Sequence, residues 1–121
     1  DNQGWFLFPN FMMTIRAGEA HVIMSVPHPD GDPNHCIWHV ASYMWLPPEV
    51  REQYRAQLID VEVPGSYQYF EALQQDYEQM PRQQLGLRNH TLEYLHLAQE
   101  EVNVARFHMV VDRYLEGGAK S

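Results

Sequence analysis

The hydrophobic pattern of this chain changes period once, at "WLPPEV" (Trp45 to Val50), and that change limits the folds open to it. Upstream, dense apolar runs separated by short turns carry the period-two signature of strands. Residues 5–16, "WFLFPNFMMTIR", read as two strand pieces joined at a bend, because Pro9 has no N–H to give a central ladder. "AGE" makes a turn. "AHVIMSVPHP" (20–29) is the next strand, with Val22, Met24 and Val26 on one face. "DGDPN", Asp30 to Asn34, is a strong turn signal, and "HCIWHVASYMWL" (35–46) is a third strand. Consecutive strands joined by short turns predict an antiparallel meander.

Downstream of the two prolines the pattern is helical. "LPPEVREQYRAQLIDV" (46–61) opens on prolines that suit a helix start and puts Val50, Tyr54 and Leu58 on one stripe. "VPGSY" breaks it. A longer helix is expected from near Ser66, as N-cap, through Asp76 toward Leu85. Residues 88–99 read as an irregular connection, and a last helix over about 100–116 brings together Val104, Phe107, Val111 and Leu115. Strands first and helices after predict an α+β domain, with helices on one face of an antiparallel sheet.

Composition narrows the function classes. At 121 residues the chain is one domain at most, and 45% hydrophobic against 20% charged residues allow a packed core. Eight Lys+Arg against sixteen Asp+Glu give a net charge of −8, which argues against a nucleic-acid partner. No apolar run approaches the ~20 residues of a membrane-spanning helix. A single cysteine, Cys36, excludes an internal disulfide, and together these features fit a cytoplasmic protein.

Seven histidines invite a metal hypothesis that their spacings do not support. His35 and His39 on one strand would stand about 13 Å apart. His90 and His96 lack helical H-x3-H spacing, His28 lies in a proline-rich turn, and His108 is expected at a helix interface. HExxH, CxxC, glycine-rich phosphate loops and GxSxG are all absent. Glu71 and Asp76, five apart, diverge by about 140° on a helix and make a poor carboxylate pair. On residues alone, Asp76 among the glutamines of "ALQQDYEQMPRQQLGL" (72–87) reads as a surface charge.

"LFPNF" at 7–11, a meander, then D-x7-Q-x-G-L at Asp76, Gln84, Gly86 and Leu87, then "QEEVNVARFHMVVDRYL", occur in one order. That order resembles the catalytic domain of Rieske non-haem iron oxygenases, the large (alpha) subunit of aromatic-ring-hydroxylating enzymes, over about residues 4–116. The resemblance implies a helix-grip (START-like) domain, in which a curved antiparallel sheet wraps a long helix around an apolar pocket. It implies a mononuclear Fe(II) held by two histidines and one carboxylate, with positions open for O2. Asp76 matches the carboxylate. Inside a pocket lined by Phe, Leu and Met a lone carboxylate is costly, and a metal removes that cost. Pro81 would then bend the helix toward the iron.

The family's two iron-binding histidines sit upstream, in a D-x2-H-x4-H-like segment that this chain does not contain, as do the ligands of the [2Fe–2S] Rieske cluster. The resemblance therefore implies that residues 1–121 are the C-terminal portion of the catalytic domain. Such a piece would be catalytically silent alone. The parent would accept electrons from a ferredoxin or reductase, form a homo-oligomer, commonly a trimer, and hydroxylate aromatic or apolar substrates with O2. Asn10, in "FPN", matches a pocket-lining position, with a turn asparagine as the alternative. Leu73 and Met80 share the helical face of Asp76 and are substrate-contact candidates, with plain core packing as the alternative. A competing function is a metal-free helix-grip domain that binds a small apolar ligand, with Asp76 as polar lining. An unpaired sheet edge would also favour self-association.

Overall fold

A computed structural model describes residues 3–89 and 94–117. The chain divides into two compact units, Asp1–Gln57 and Leu58–Ser121, each described by itself below. No described helix is long and apolar enough to cross a membrane.

The first unit is a four-stranded antiparallel sheet in the order β1-β2-β3-β4, made of β1 Gln3–Leu7, β2 Phe11–Arg16, β3 Glu19–Pro27 and β4 Cys36–Met44. The meander has the expected turns but one more strand than the pattern predicts. "WFLFPNFMMTIR" does not bend within one strand: it folds back on itself, so that Trp5 faces Met13 and Leu7 faces Phe11. Three residues, Phe8 to Asn10, make the reversal, with a cis Phe8–Pro9 peptide. Proline's missing N–H is harmless there because the turn lies outside the ladder. Gly18 closes the β2–β3 turn at φ +79°, a backbone conformation that side chains disfavour. Its carbonyl accepts the Trp45 N–H at 2.8 Å, which ties the end of β4 to that turn.

Side chains opposite one another in an antiparallel ladder share a sheet face. The register therefore gathers Trp5, Met13, Val22 and Ala41 in one row, and Leu7, Phe11, Met24 and His39 in the next. Ile15, Ala20 and Tyr43 extend the same face, which is apolar apart from Gln3 and His39. The opposite face is mixed. There His21 Nδ1 lies 3.0 Å from Ser42 Oγ, with Glu19 3.5 Å from its other nitrogen.

A single helical turn, α1 (Pro48–Arg51), follows β4. The helix expected over 46–61 is not formed beyond it: Tyr54 and Leu58 are exposed and the backbone from 54 to 62 is irregular. Prolines 47 and 48 start the turn well, but a short helix propagates only when its apolar stripe is covered. The stripe of Val50, Tyr54 and Leu58 is not.

In the second unit, α2 spans Glu71–Arg88 and α3 spans Val102–Leu115, preceded by a 3-10 turn at Gln99–Glu101. The start of α2 lies five residues beyond the expected cap at Ser66, which instead sits in a turn and donates its N–H to Val63 O. Phe70 occupies the N-cap and has no side-chain acceptor. Gln74 compensates by reaching back: its Oε1 accepts the Tyr69 N–H at 3.0 Å while its Nε2 donates to Glu78 Oε1 at 2.9 Å. Pro81 lies inside the helix, which continues past it to Arg88.

Leu73, 4% exposed, is the only buried side chain among the described residues. Tyr69, Tyr67 and Tyr77 form an aromatic cluster beside the helix start, at centroid distances of 5.2 and 5.4 Å. Along α3, Phe107, Val110 and Val111 are half-buried, whereas Val104 and Leu115 of the expected stripe are exposed. His108 is also exposed, its ring edge-on to Phe107 at 5.7 Å, not at a helix interface. Among the described residues, α2 and α3 make no contact with each other.

Candidate functional site

The helix carrying Asp76 is held by its first turn. With about 100° per residue, Leu73, Tyr77 and Gln84 fall within about 40° of one another and form the inward stripe of α2. All three are buried or half-buried. Asp76 sits at the flank of that stripe, about 60° from Leu73. It is exposed, and among the described residues its carboxylate has no hydrogen-bond or ion-pair partner. Among the described residues no enclosure by Phe, Leu and Met surrounds it. Met80, one turn on, is 36% exposed and lies at the edge of the stripe, while Leu73 is core.

Asn10 has a defined structural task. Its carbonyl accepts the Ser25 N–H at 3.1 Å and its Nδ2 donates to the Ser25 carbonyl at 2.8 Å. The side-chain amide thus takes the place of a backbone N–H and prolongs the β2–β3 ladder by one pair beyond Phe11 and Met24. Oδ1 and the second Nδ2–H of the amide are left over for a ligand.

Three metal-ligating side chains meet where no sequence spacing announced them. In the β3–β4 loop, Asp30 Oδ1 lies 2.8 Å from His28 Nδ1 and Asp30 Oδ2 lies 2.8 Å from His35 Nε2. The two imidazoles stand edge-on at 4.4 Å. The Asp32 N–H donates to Asp30 Oδ1 at 2.9 Å and the Asn34 N–H to Asp32 Oδ1 at 2.9 Å. That backbone bond, and then His28 and His35, hold the Asp30 carboxyl down at about 2, against 3.8 ordinarily. His28, Asp30 and His35 are the only such group of three among the described residues. Neither helical H-x3-H nor CxxC spacing contains this group, because loop closure sets its geometry. His39 is separate, on β4 opposite Met24. His90 lies outside the described residues.

A four-stranded antiparallel sheet followed by helices gives the chain an α+β architecture. The model of the ring hydroxylating alpha subunit (catalytic domain) matches residues 1–117, and the chain belongs to that family. It is thus a ring-hydroxylating oxygenase domain, of an iron-dependent enzyme class. No curated protein and no solved structure matches the chain. As a test of fit to iron, α2 offers one oxygen ligand, and among the described residues no histidine joins it in a group of three. Asp76 fits as one leg of a two-histidine, one-carboxylate set and not as a complete site.

Proposed function

We propose that this chain is the C-terminal part of the catalytic domain of a Rieske-type oxygenase large subunit, in which Asp76 supplies the carboxylate ligand to a mononuclear Fe(II). The observation that carries the reading is the family match over residues 1–117, together with the exposed Asp76 of its D-x7-Q-x-G-L pattern on α2. The two histidine ligands would come from an upstream segment, and the [2Fe–2S] cluster from a separate Rieske domain. Iron bound there supplies the activation of O2 for hydroxylation of an apolar ring.

The residues of this chain contribute position and surroundings. Gln74 fixes the first turn of α2, and Leu73 with Tyr77 holds its inward stripe, so that Asp76 keeps one direction relative to the helix axis. An ionised carboxylate offsets part of the charge of a divalent cation, which two neutral imidazoles cannot do. The apolar sheet face of Trp5, Leu7, Phe11, Met13, Val22 and Met24 is suited to an aromatic substrate and to excluding water. Leu73 and Met80 of α2 are substrate-contact candidates. Asn10 would act mainly by fixing the β1–β2 turn, with Oδ1 free to meet substrate.

A cytoplasmic, trimeric enzyme served by a ferredoxin or reductase goes with this reading. The test is Asp76→Ala in the complete enzyme: iron content and turnover are lost, while the visible absorbance of the Rieske cluster persists. Retention of stoichiometric iron and activity in that variant would remove Asp76 from the metal site.

A further inference from the structure

We infer that the β3–β4 loop binds a divalent cation of the zinc, cobalt or nickel class through His28 Nδ1, the Asp30 carboxylate and His35 Nε2, at a site separate from Asp76. The first argument is metric. Ligand atoms of the three residues all lie within 4.8 Å of one another, and both imidazole-to-carboxylate edges are 2.8 Å. With metal–nitrogen and metal–oxygen bonds of about 2.0–2.2 Å, two ligands at right angles stand about 2.9 Å apart. Both imidazole-to-carboxylate edges therefore already have the spacing of neighbouring ligands on one cation, and binding needs the two imidazoles to draw closer to each other.

The donor set decides the class of metal. Two imidazole nitrogens and one carboxylate suit zinc and its transition-metal neighbours, whereas calcium and magnesium require mostly oxygen ligands. Three protein ligands leave the remaining positions to water, and the exposure of Asp30 and His35 permits that.

The loop is also organised before any ligand arrives. Pro27 and Cys36 are paired across the last rung of the β3–β4 ladder, which fixes both ends of residues 28–35. Gly31, at φ +75°, donates its N–H to His28 O at 3.0 Å and makes the reversal that brings His28 back over Asp30. The Asp32 and Asn34 N–H bonds hold the turn from within. Asp32 Oδ2 lies 3.9 Å from His35 Nδ1, the ring nitrogen that carries the proton once Nε2 is bound, so a carboxylate stands behind this ligand.

The experiment uses the full chain without an affinity tag, stripped with chelator and then titrated with Zn2+ by calorimetry and with Co2+ by visible absorption. The site predicts one equivalent of either metal. His28→Gln, Asp30→Asn and His35→Gln each weaken binding at least about tenfold, with far-UV circular dichroism unchanged. Asp76→Ala leaves the binding as it was, so success or failure here is independent of the iron assignment. Absence of both the heat and the cobalt band overturns the inference, and the loop is then closed by hydrogen bonds alone. Stoichiometric binding that survives His28→Gln and His35→Gln, or that is lost in Asp76→Ala, overturns it equally.

Discussion

Replacing Asn10 by alanine separates a structural asparagine from a pocket asparagine. The substitution removes the Nδ2–H···O=C bond to Ser25, 2.8 Å long and half-buried, and keeps the backbone bond from Ser25 N–H. A single amide–carbonyl bond contributes about 0.5–1.5 kcal/mol net, and the Ser25 carbonyl loses its partner at a half-buried position where water reaches it only in part. About 1 kcal/mol is therefore expected. For a unit the size of Asp1–Gln57 that corresponds to a fall in melting temperature of about 4–8 °C. Asn10→Asp should cost more, because a carboxylate cannot donate and would set two acceptors against each other.

The assay is built into the sequence. All three tryptophans, Trp5, Trp38 and Trp45, lie in the first unit, so tryptophan fluorescence during denaturation reports on the sheet alone. The complete enzyme supplies the second readout, KM for an apolar substrate. An Asn10→Ala variant with an unchanged denaturation midpoint and a raised KM would refute the ladder argument and return Asn10 to the pocket.

Other outcomes follow from the helices and the loop. Leu73→Ala truncates the one buried side chain described and should destabilise the second unit by about 2–3 kcal/mol, the low end for a buried leucine because its surroundings are open. Urea denaturation followed at 222 nm measures it, and Leu73→Met should stay under about 1.5 kcal/mol. Pro81→Ala restores an N–H donor within α2 and should stabilise the helix by about 1–3 kcal/mol in the same assay. No gain would mean that packing already compensates for the proline. In the metal-free chain the Asp30 carboxyl should titrate at about 2 by carbon-13 NMR, below the ordinary 3.8. Because the folded value is the lower one, its linked stabilisation is complete above about pH 4 and is lost as pH falls toward 2. His28→Gln should move the midpoint only part of the way back, since the Asp32 N–H is the larger cause; a wild-type midpoint near 3.8 would contradict the loop geometry.

The sequence by itself determined the order of elements. Period-two runs and Gly or Asp turns give a meander, and the patterns from about 66 to 85 and 100 to 116 give two helices, because alternation and 3.6-residue periodicity are local properties of the chain. It also carried the family, through "LFPNF" and the Asp76 pattern. Tertiary structure decided what locality cannot reach. Whether "WFLFPNF" bends or folds back depends on Trp5 and Leu7 finding Met13 and Phe11. Whether residues 52–61 become helical depends on something to cover Tyr54 and Leu58, and nothing described covers them. Gln74 could be recognised as a cap only once Phe70 occupied the N-cap. His28 and His35, seven positions apart, fit no ligand spacing in the sequence. They share Asp30 because the β3–β4 ladder closes the loop ends and Gly31 turns the backbone between them. Distance in space there is set by strand pairing, which links residues far apart in the chain and leaves no periodic trace.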